Sequence, residues 1–110
     1  NLMVELLKYF SKKIKRLNKF GINDVILDPG FGFAKDYNQN YDILKNLSLL
    51  KKFNLPILVG LSRKSFVKKK FGSSNVDSLK GTIKLNEMAI NNGANILRVH
   101  DVEENLFLIR

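Results

Sequence analysis

Hydroxyl and basic side chains follow directly after a short apolar run in the middle of this sequence. Residues 56–59 read Pro-Ile-Leu-Val, Gly60 closes the run, and residues 62–65 read Ser-Arg-Lys-Ser. A continuous apolar run of this length is typical of a strand buried on both faces of a parallel sheet. The free N–H groups of a helix that starts here, with two cations beside them, would form an anion site. A βα turn with solvated basic residues is the alternative, and this stretch alone leaves both interpretations open.

Two further strand-like runs also end in polar or conformationally special residues. Residues 25–27 lead into Asp28-Pro29-Gly30, and residues 95–100 carry Arg98 and His100. In parallel α/β folds the carboxyl ends of the strands share one face, and binding sites are built there. Three such ends in succession therefore predict a single site that combines a carboxylate, hydroxyl groups and cations.

Several of these side chains suit a flat heterocyclic ligand. Asp28 could accept the paired N–H groups of an amidine-like ring, but an Asx-turn is the structural alternative. Phe33 could stack on the ring or fill the core, and Lys35 could lie near the site or be solvated. Lys64 could reach a ring carbonyl or a carboxylate as a movable point charge.

Arg98 and His100 suit an anion. Because side chains alternate along a strand, we expect both to point the same way. An arginine and a histidine that face together at a strand end would form a clamp for phosphate or pyrophosphate.

The composition excludes several other chemistries. The chain has 110 residues, one His and no Cys, so a His/Cys metal site and a Cys nucleophile are excluded. No G-x-S-x-G elbow precedes a helix, and a dinucleotide fingerprint fails after Gly32. The net charge is +9, but the run Lys68-Lys69-Lys70 lacks interleaved aromatic residues, so we expect no nucleic-acid partner.

The hydropathy pattern predicts a chain without a membrane partner. No apolar run approaches the roughly 18 residues of a membrane span, and no signal peptide is recognisable. The absence of cysteine fits a reducing compartment, and we expect a cytoplasmic location. Because the first residue is Asn, we also expect the chain to be cut from a longer one.

Helices and strands alternate along the chain, which predicts an α/β fold with a parallel sheet. Three parallel strands cannot cover themselves, so we expect a piece of a larger domain. The second helix should bury Tyr41, Leu44, Leu47 and either Leu49 or Leu50. The predicted order is helix 2–20 ending at Gly21, strand 25–27, helix 39–53, strand 56–60, helix 63–70, a helix from Asp77 or Ser78 to about Asn92, strand 95–100 and a last helix capped by Asp101.

Three motifs together resemble successive signatures of the dihydropteroate synthase family. They are DPGFGFAK at 28–35, GLSRKS at 60–65 and RVHDV at 98–102, and Gly81-Thr82 in the intervening helix fits as well. The resemblance covers essentially the whole chain. The family usually has Gly at the position of Ala34 and often Ile at that of Phe31, and both differences are small.

The resemblance implies a TIM (β/α)8 barrel. Residues 1–110 would form its C-terminal part, with the last three strands and their helices. It also implies transfer of a dihydropterin-methyl group from its pyrophosphate ester to p-aminobenzoate, which gives 7,8-dihydropteroate and pyrophosphate. Fixed cations and Mg2+ would stabilise the leaving group as its bond breaks, so little general-base chemistry is required.

The resemblance assigns roles residue by residue. Asp28, Phe33, Gly60 and Lys64 would bind the pterin, and Lys64 and Ser65 would meet p-aminobenzoate. Pyrophosphate would contact Arg98 and His100. Supporting roles would fall to Lys35, Ser62 and Arg63.

Other expectations concern parts that the resemblance places outside this chain. The asparagine ligand of Mg2+ and the mobile substrate loops would belong to earlier strands. The 110-residue chain should therefore be inactive alone. The family forms homodimers through helices near the end of the barrel. The alternative function is a pterin- or folate-binding barrel of the methyltransferase type, which would need Asp28 but not the anion-binding set.

Overall fold

Three short parallel strand segments lie side by side in the order in which they occur in the sequence. The computed structural model describes residues 2–31, 35–61, 71–72 and 74–109, except for the side chain of Asn75. Strand β1 (Leu58–Val59) pairs in parallel with β2 (Ile96–Leu97), and Leu27 forms a parallel bridge with Ile57. The predicted parallel α/β arrangement is confirmed, although regular pairing is shorter than predicted. Within residues 25–27, Leu27 alone pairs with the neighbouring segment, through its bridge to Ile57.

Helix α1 spans Leu2–Lys19 and covers one side of the core, as predicted. Its apolar stripe buries Met3 and Phe10, while the lysines of the helix are exposed. Gly21 ends the helix with φ +77°, and the N–H of Ile22 donates to the carbonyl of Leu17 at 3.0 Å. This is the glycine-terminated helix end expected from the sequence.

The second predicted helix is divided into two. Helix α2 spans Tyr37–Lys45, and a 3-10 helix follows at Leu47–Phe53. Where α2 ends, both the side-chain amide and the backbone N–H of Asn46 donate to the carbonyl of Asp42, at 2.9 and 3.1 Å. The prediction of one continuous helix over 39–53 is therefore wrong. Leu50 is buried and Leu49 is 48% exposed, so Leu50 is the residue of the two that belongs to the buried stripe.

Helix α3 spans Asn75–Asn91 and starts earlier than predicted. The hydroxyl of Ser74 accepts from the backbone N–H of Asp77 at 3.0 Å, so Ser74 is the N-cap and the predicted start at Asp77 or Ser78 is wrong. Near the start of α3, Gly81 lies so close to Phe71 that a Cβ would stand 2.5 Å from the ring. The predicted end near Asn92 is confirmed.

The chain finishes with helix α4 (Val102–Asn105) and a 3-10 helix (Leu106–Ile109). Asp101 occupies the N-cap position of α4, but its side chain makes no capping hydrogen bond, so the predicted capping role is wrong. The helix predicted at 63–70 lies outside the described residues.

The core lies between the strands and the helices and is almost entirely aliphatic. The second-helix stripe is buried as predicted, except that Tyr41 is only half-buried and Ile43 is fully buried. The buried apolar residues are Met3, Phe10, Leu27, Phe31, Ile43, Leu44, Leu47, Leu50, Ile57, Val59, Leu61, Leu85 and Ala89.

Candidate functional site

The carboxyl ends of the three strand segments converge on one arginine. The backbone N–H of Arg98 donates to the carbonyl of Val59 at 2.9 Å, which fixes the residue at the end of the sheet. Its guanidinium passes over Gly60, where a Cβ would stand 2.5 Å from Nη2. The side chain then reaches Asp28, with 3.4 Å between Nη1 and Oδ2. The structure therefore brings Asp28, Gly60 and Arg98 together, as expected for three strand ends on one face.

Gly60 is needed at this junction because it has no side chain. The group that approaches its backbone is the guanidinium of Arg98. Any larger residue would occupy the space of the guanidinium and move it away from Asp28. The signal in the sequence was the glycine itself, since the identity of its neighbour depends on the sheet.

The two oxygens of Asp28 have different partners. Oδ1 accepts the N–H of Gly30 at 2.9 Å, which closes an Asx-turn, and Oδ2 faces Arg98. The turn fixes the carboxylate and leaves one oxygen directed to the site. A role for Asp28 in the Asx-turn is therefore compatible with a role in ligand binding. The side chains of Arg98 and Asp28 are 53% and 39% exposed, so the ion pair is weak and both groups remain accessible to a ligand.

Lys35 holds the loop that follows Asp28. Its Nζ donates to the carbonyl of Gly30 at 2.9 Å, and the side chain is half-buried. The next residue, Asp36, caps α2 through its side chain, which accepts the N–H of Gln39 at 2.7 Å. Lys35 thus connects Gly30, just after the strand end, to the start of α2. Lys35 is not merely a solvated loop residue.

Arg98 and His100 both follow the last regular strand residue. Strand β2 ends at Leu97, and His100 lies exposed in a bend beyond it. The predicted common direction of the two side chains stays a prediction. The proximity of the two residues in the chain places them at the same end of the sheet.

Five predicted site residues belong to the parts of the chain that the structure does not describe. Phe33, Ser62, Arg63, Lys64 and Ser65 lie outside the described residues. Their assignments stay predictions.

Sequence reasoning missed Asn95, which aligns the strands beneath the site. Its side-chain oxygen accepts the N–H of Ile57 at 2.9 Å, and its backbone N–H donates to the carbonyl of the same residue at 2.9 Å. These two bonds fix the register of the third strand segment against the second. Only its place at the start of a predicted strand marked it in the sequence.

The described part of the chain can also be compared with metal-binding and membrane proteins. Within these residues no group of three His, Cys, Asp or Glu side chains could hold a metal ion. None of the helices described here is both long enough and apolar enough to span a membrane.

The chain is similar to several known proteins over its full length. A protein from Helicobacter pylori named bifunctional dihydropteroate synthase/dihydropteroate reductase is 44% identical over 110 residues, which is 100% of this chain and 29% of that protein. The dihydropteroate synthase of Escherichia coli K12 is 38% identical over 112 aligned positions, 100% of this chain and 40% of the enzyme. The chain thus spans well under half the length of these relatives.

Solved structures give the same result. The crystal structure of the Yersinia pestis dihydropteroate synthase matches with a TM-score of 0.91 and 39% identity over 99% of this chain and 52% of that one. The Xanthomonas albilineans enzyme in complex with 7,8-dihydropteroate matches with a TM-score of 0.93 and 29% identity, over 99% of this chain and 44% of that one.

A family model described as pterin binding enzyme matches residues 1–100. This match covers nearly the whole sequence, and it agrees with the convergence of Asp28, Gly60 and Arg98 at one end of a parallel sheet. The chain belongs to the pterin binding enzyme family.

Proposed function

We propose that this chain is part of a dihydropteroate synthase. The observation that carries the proposal is the junction of Asp28, Gly60 and Arg98, which places a carboxylate and a guanidinium side by side at the strand ends. Relatives that bear the name dihydropteroate synthase, at 38–44% identity, support the assignment.

The reaction needs a charge separation that this junction suits. The bond between the pterin methylene carbon and the pyrophosphate oxygen breaks, and its electron pair leaves with the pyrophosphate. The amine of p-aminobenzoate forms the new C–N bond and releases a proton. A fixed cation beside the leaving group stabilises the growing negative charge, while Asp28 holds the ring through charge-assisted hydrogen bonds.

The remaining residue roles are proposed from the family resemblance. Phe33, Gly60 and Lys64 would line the pterin slot, and Ser65 with Lys64 would meet the carboxylate of p-aminobenzoate. A solved structure of the Xanthomonas albilineans enzyme with 4-aminobenzoic acid supports this substrate. Pyrophosphate would contact Arg98 and His100.

Residues with supporting roles form a second group. Lys35 would keep the loop after Asp28 in place, consistent with its bond to Gly30. The positive charge of Arg63 and the hydroxyl of Ser62 would support the neighbouring anion-binding turn.

The whole-protein properties are proposed in the same way. The chain would form the C-terminal part of a TIM barrel, with its last three strands, in a cytoplasmic homodimer. When bound, Mg2+ would neutralise charge on the pyrophosphate. By the family resemblance, the asparagine that would hold the ion lies in the part of the barrel before this chain.

The test is the formation of dihydropteroate by the full gene product that carries residues 1–110. Asp28→Asn keeps the shape of the side chain but removes its charge. Since charge-assisted hydrogen bonds contribute roughly 1.5–3 kcal/mol, we expect kcat/KM for the dihydropterin pyrophosphate to fall by about 10- to 100-fold.

Asp24→Asn is the matched control, because Asp24 is exposed and precedes the strand. It should leave kcat/KM unchanged. The binding-module alternative replaces the synthase assignment if the wild-type protein forms no dihydropteroate but binds a pterin, and if pyrophosphate does not weaken that binding.

A further inference from the structure

We propose that a buried pair of asparagines, Asn86 and Asn105, positions the segment that carries Arg98 and His100. This inference rests on the proposed function, because it assigns the pair a task at the pyrophosphate side of the site. Neither asparagine belongs to the motifs that identify the family resemblance.

The two side chains are deeply buried and directly bonded. Asn86 on α3 is 0% exposed, and Asn105 at the end of α4 is 4% exposed. Nδ2 of Asn86 donates to Oδ1 of Asn105 at 3.0 Å. Nδ2 of Asn105 then donates to the carbonyl of Asp101 at 2.8 Å. The pair thus connects the long helix α3 to the backbone directly after His100.

The segment from Arg98 to Asp101 is consequently attached at both ends. Its start is fixed by the bond between the N–H of Arg98 and the carbonyl of Val59, at 2.9 Å. Its end is fixed by the bond from Asn105 to Asp101. His100 lies between these two anchors, in a bend that no regular strand or helix holds. Asn105 therefore limits the positions that this short segment can adopt.

The energetic cost of the pair points to positioning rather than to stability. Oδ1 of Asn86 is buried and accepts no hydrogen bond from the part of the chain that the structure describes. A buried polar group left without a partner costs about 1–3 kcal/mol. Two leucines, which share the branching of asparagine, would avoid that cost, but they could not bond the carbonyl of Asp101. The function that only the asparagines can provide is the anchor on this backbone.

The experiment compares leucine variants of the full gene product. Asn86→Leu and Asn105→Leu each leave the partner amide unpaired, so each single variant should lower the melting temperature. The double variant Asn86→Leu/Asn105→Leu replaces both partners by apolar groups and should recover much of that loss. Asn92→Leu is the control, because Asn92, the C-cap residue of the same helix, donates through its side chain to the carbonyl of Leu44 at 2.9 Å, in another part of the fold.

Two readouts separate positioning from folding. In Asn105→Leu and in the double variant, we expect the inhibition constant of pyrophosphate to rise by about 5- to 10-fold, with an unchanged KM for p-aminobenzoate. We also expect faster deuterium exchange of the backbone amides from Arg98 to Val102. Asn92→Leu should change neither readout, even where it lowers the melting temperature.

A double variant with wild-type pyrophosphate inhibition and wild-type exchange at these amides would overturn the inference. Failure of the proposed function would look different. In that case the wild-type protein would show no dihydropteroate formation that pyrophosphate inhibits. The deuterium exchange rates of the amides from Arg98 to Val102 would still show whether the asparagines hold the segment.

Discussion

At the scale of single residues, the site depends on one contact that crosses the sheet. Arg98 on the third strand segment reaches Asp28 at the end of the first by passing over Gly60. Each of the three residues has a separate requirement: a long cation, a fixed carboxylate and a missing side chain. The carboxylate is fixed locally by its Asx-turn, whereas the other two depend on the pairing of distant strands.

Gly60→Ala should disturb the site with little effect on folding. The new Cβ would meet the mobile end of Arg98, which can move aside, so the free energy of unfolding should change by less than about 1 kcal/mol. The displaced guanidinium should raise KM for the dihydropterin pyrophosphate by roughly tenfold. Steady-state kinetics and thermal melting of the full gene product measure the two effects.

The control for this variant is Gly21→Ala. Gly21 has φ +77° and nothing within 4 Å of an added Cβ, so the substitution strains the backbone without any clash. It should lower stability by about 1 kcal/mol and leave KM unchanged. An unchanged KM in Gly60→Ala would mean that the position of Arg98 over Gly60 does not matter for binding.

At the scale of secondary structure, the helices fix the loops that carry the site. Helix α2 begins with a reciprocal capping box, in which the side chains of Asp36 and Gln39 each accept the other residue's backbone N–H. The residue before the cap is Lys35, which bonds Gly30 in the loop after Asp28. The start of α2 therefore sets where this loop ends.

Asp36→Ala should destabilise the start of α2. It removes the acceptor for the N–H of Gln39, and loss of an N-cap side chain costs about 1 kcal/mol. We expect a lower melting temperature, measured by circular dichroism. Asp36→Ser should restore most of it, since a hydroxyl can also cap; equal destabilisation by both variants would argue against a capping role.

The 3-10 helix offers a test of the packing between the helical layer and the strands. Leu50 is fully buried, and its neighbour Leu49 is 48% exposed. Leu50→Ala should lower the free energy of unfolding by about 2–5 kcal/mol, because it leaves a cavity in the core. Leu49→Ala should cost about 0.5 kcal/mol or less. Chemical denaturation distinguishes them, and similar values for the two variants would contradict this orientation of the helix.

At the scale of the whole molecule, the chain is a parallel α/β unit that covers 29% and 40% of two dihydropteroate synthase relatives. Parallel sheets require helices on both faces, and we expect the proposed site to need residues beyond this sequence. The convergence of three strand ends supplies one wall of the site. The other walls of the site would come from the remaining part of the proposed barrel.

We therefore expect the purified 110-residue chain to form no dihydropteroate, whereas the full gene product that carries it should be active. A coupled assay with dihydropterin pyrophosphate and p-aminobenzoate measures both. Turnover by the isolated chain would show that residues 1–110 contain every group the reaction requires.

The sequence by itself determined the class of fold and the family. The alternation of apolar strands with amphipathic helices predicts a parallel sheet, and the end of α1 at Gly21 follows from local chemistry. The motifs at 28–35, 60–65 and 98–102 are short and contiguous, so they can be recognised without any tertiary information. Helix boundaries were less predictable, since Ser74 and Asp77 can both cap and only the backbone geometry selects Ser74.

Only the tertiary structure decided which side chains meet. The contact of Arg98 with Asp28 joins residues 70 positions apart, and it exists because their strand segments flank the one that ends at Gly60. The bond between Asn86 and Asn105 likewise depends on how α3 packs against the end of the chain. Local sequence fixes backbone conformation over a few residues, but such pairings depend on sheet register and helix packing, which many distant residues set together.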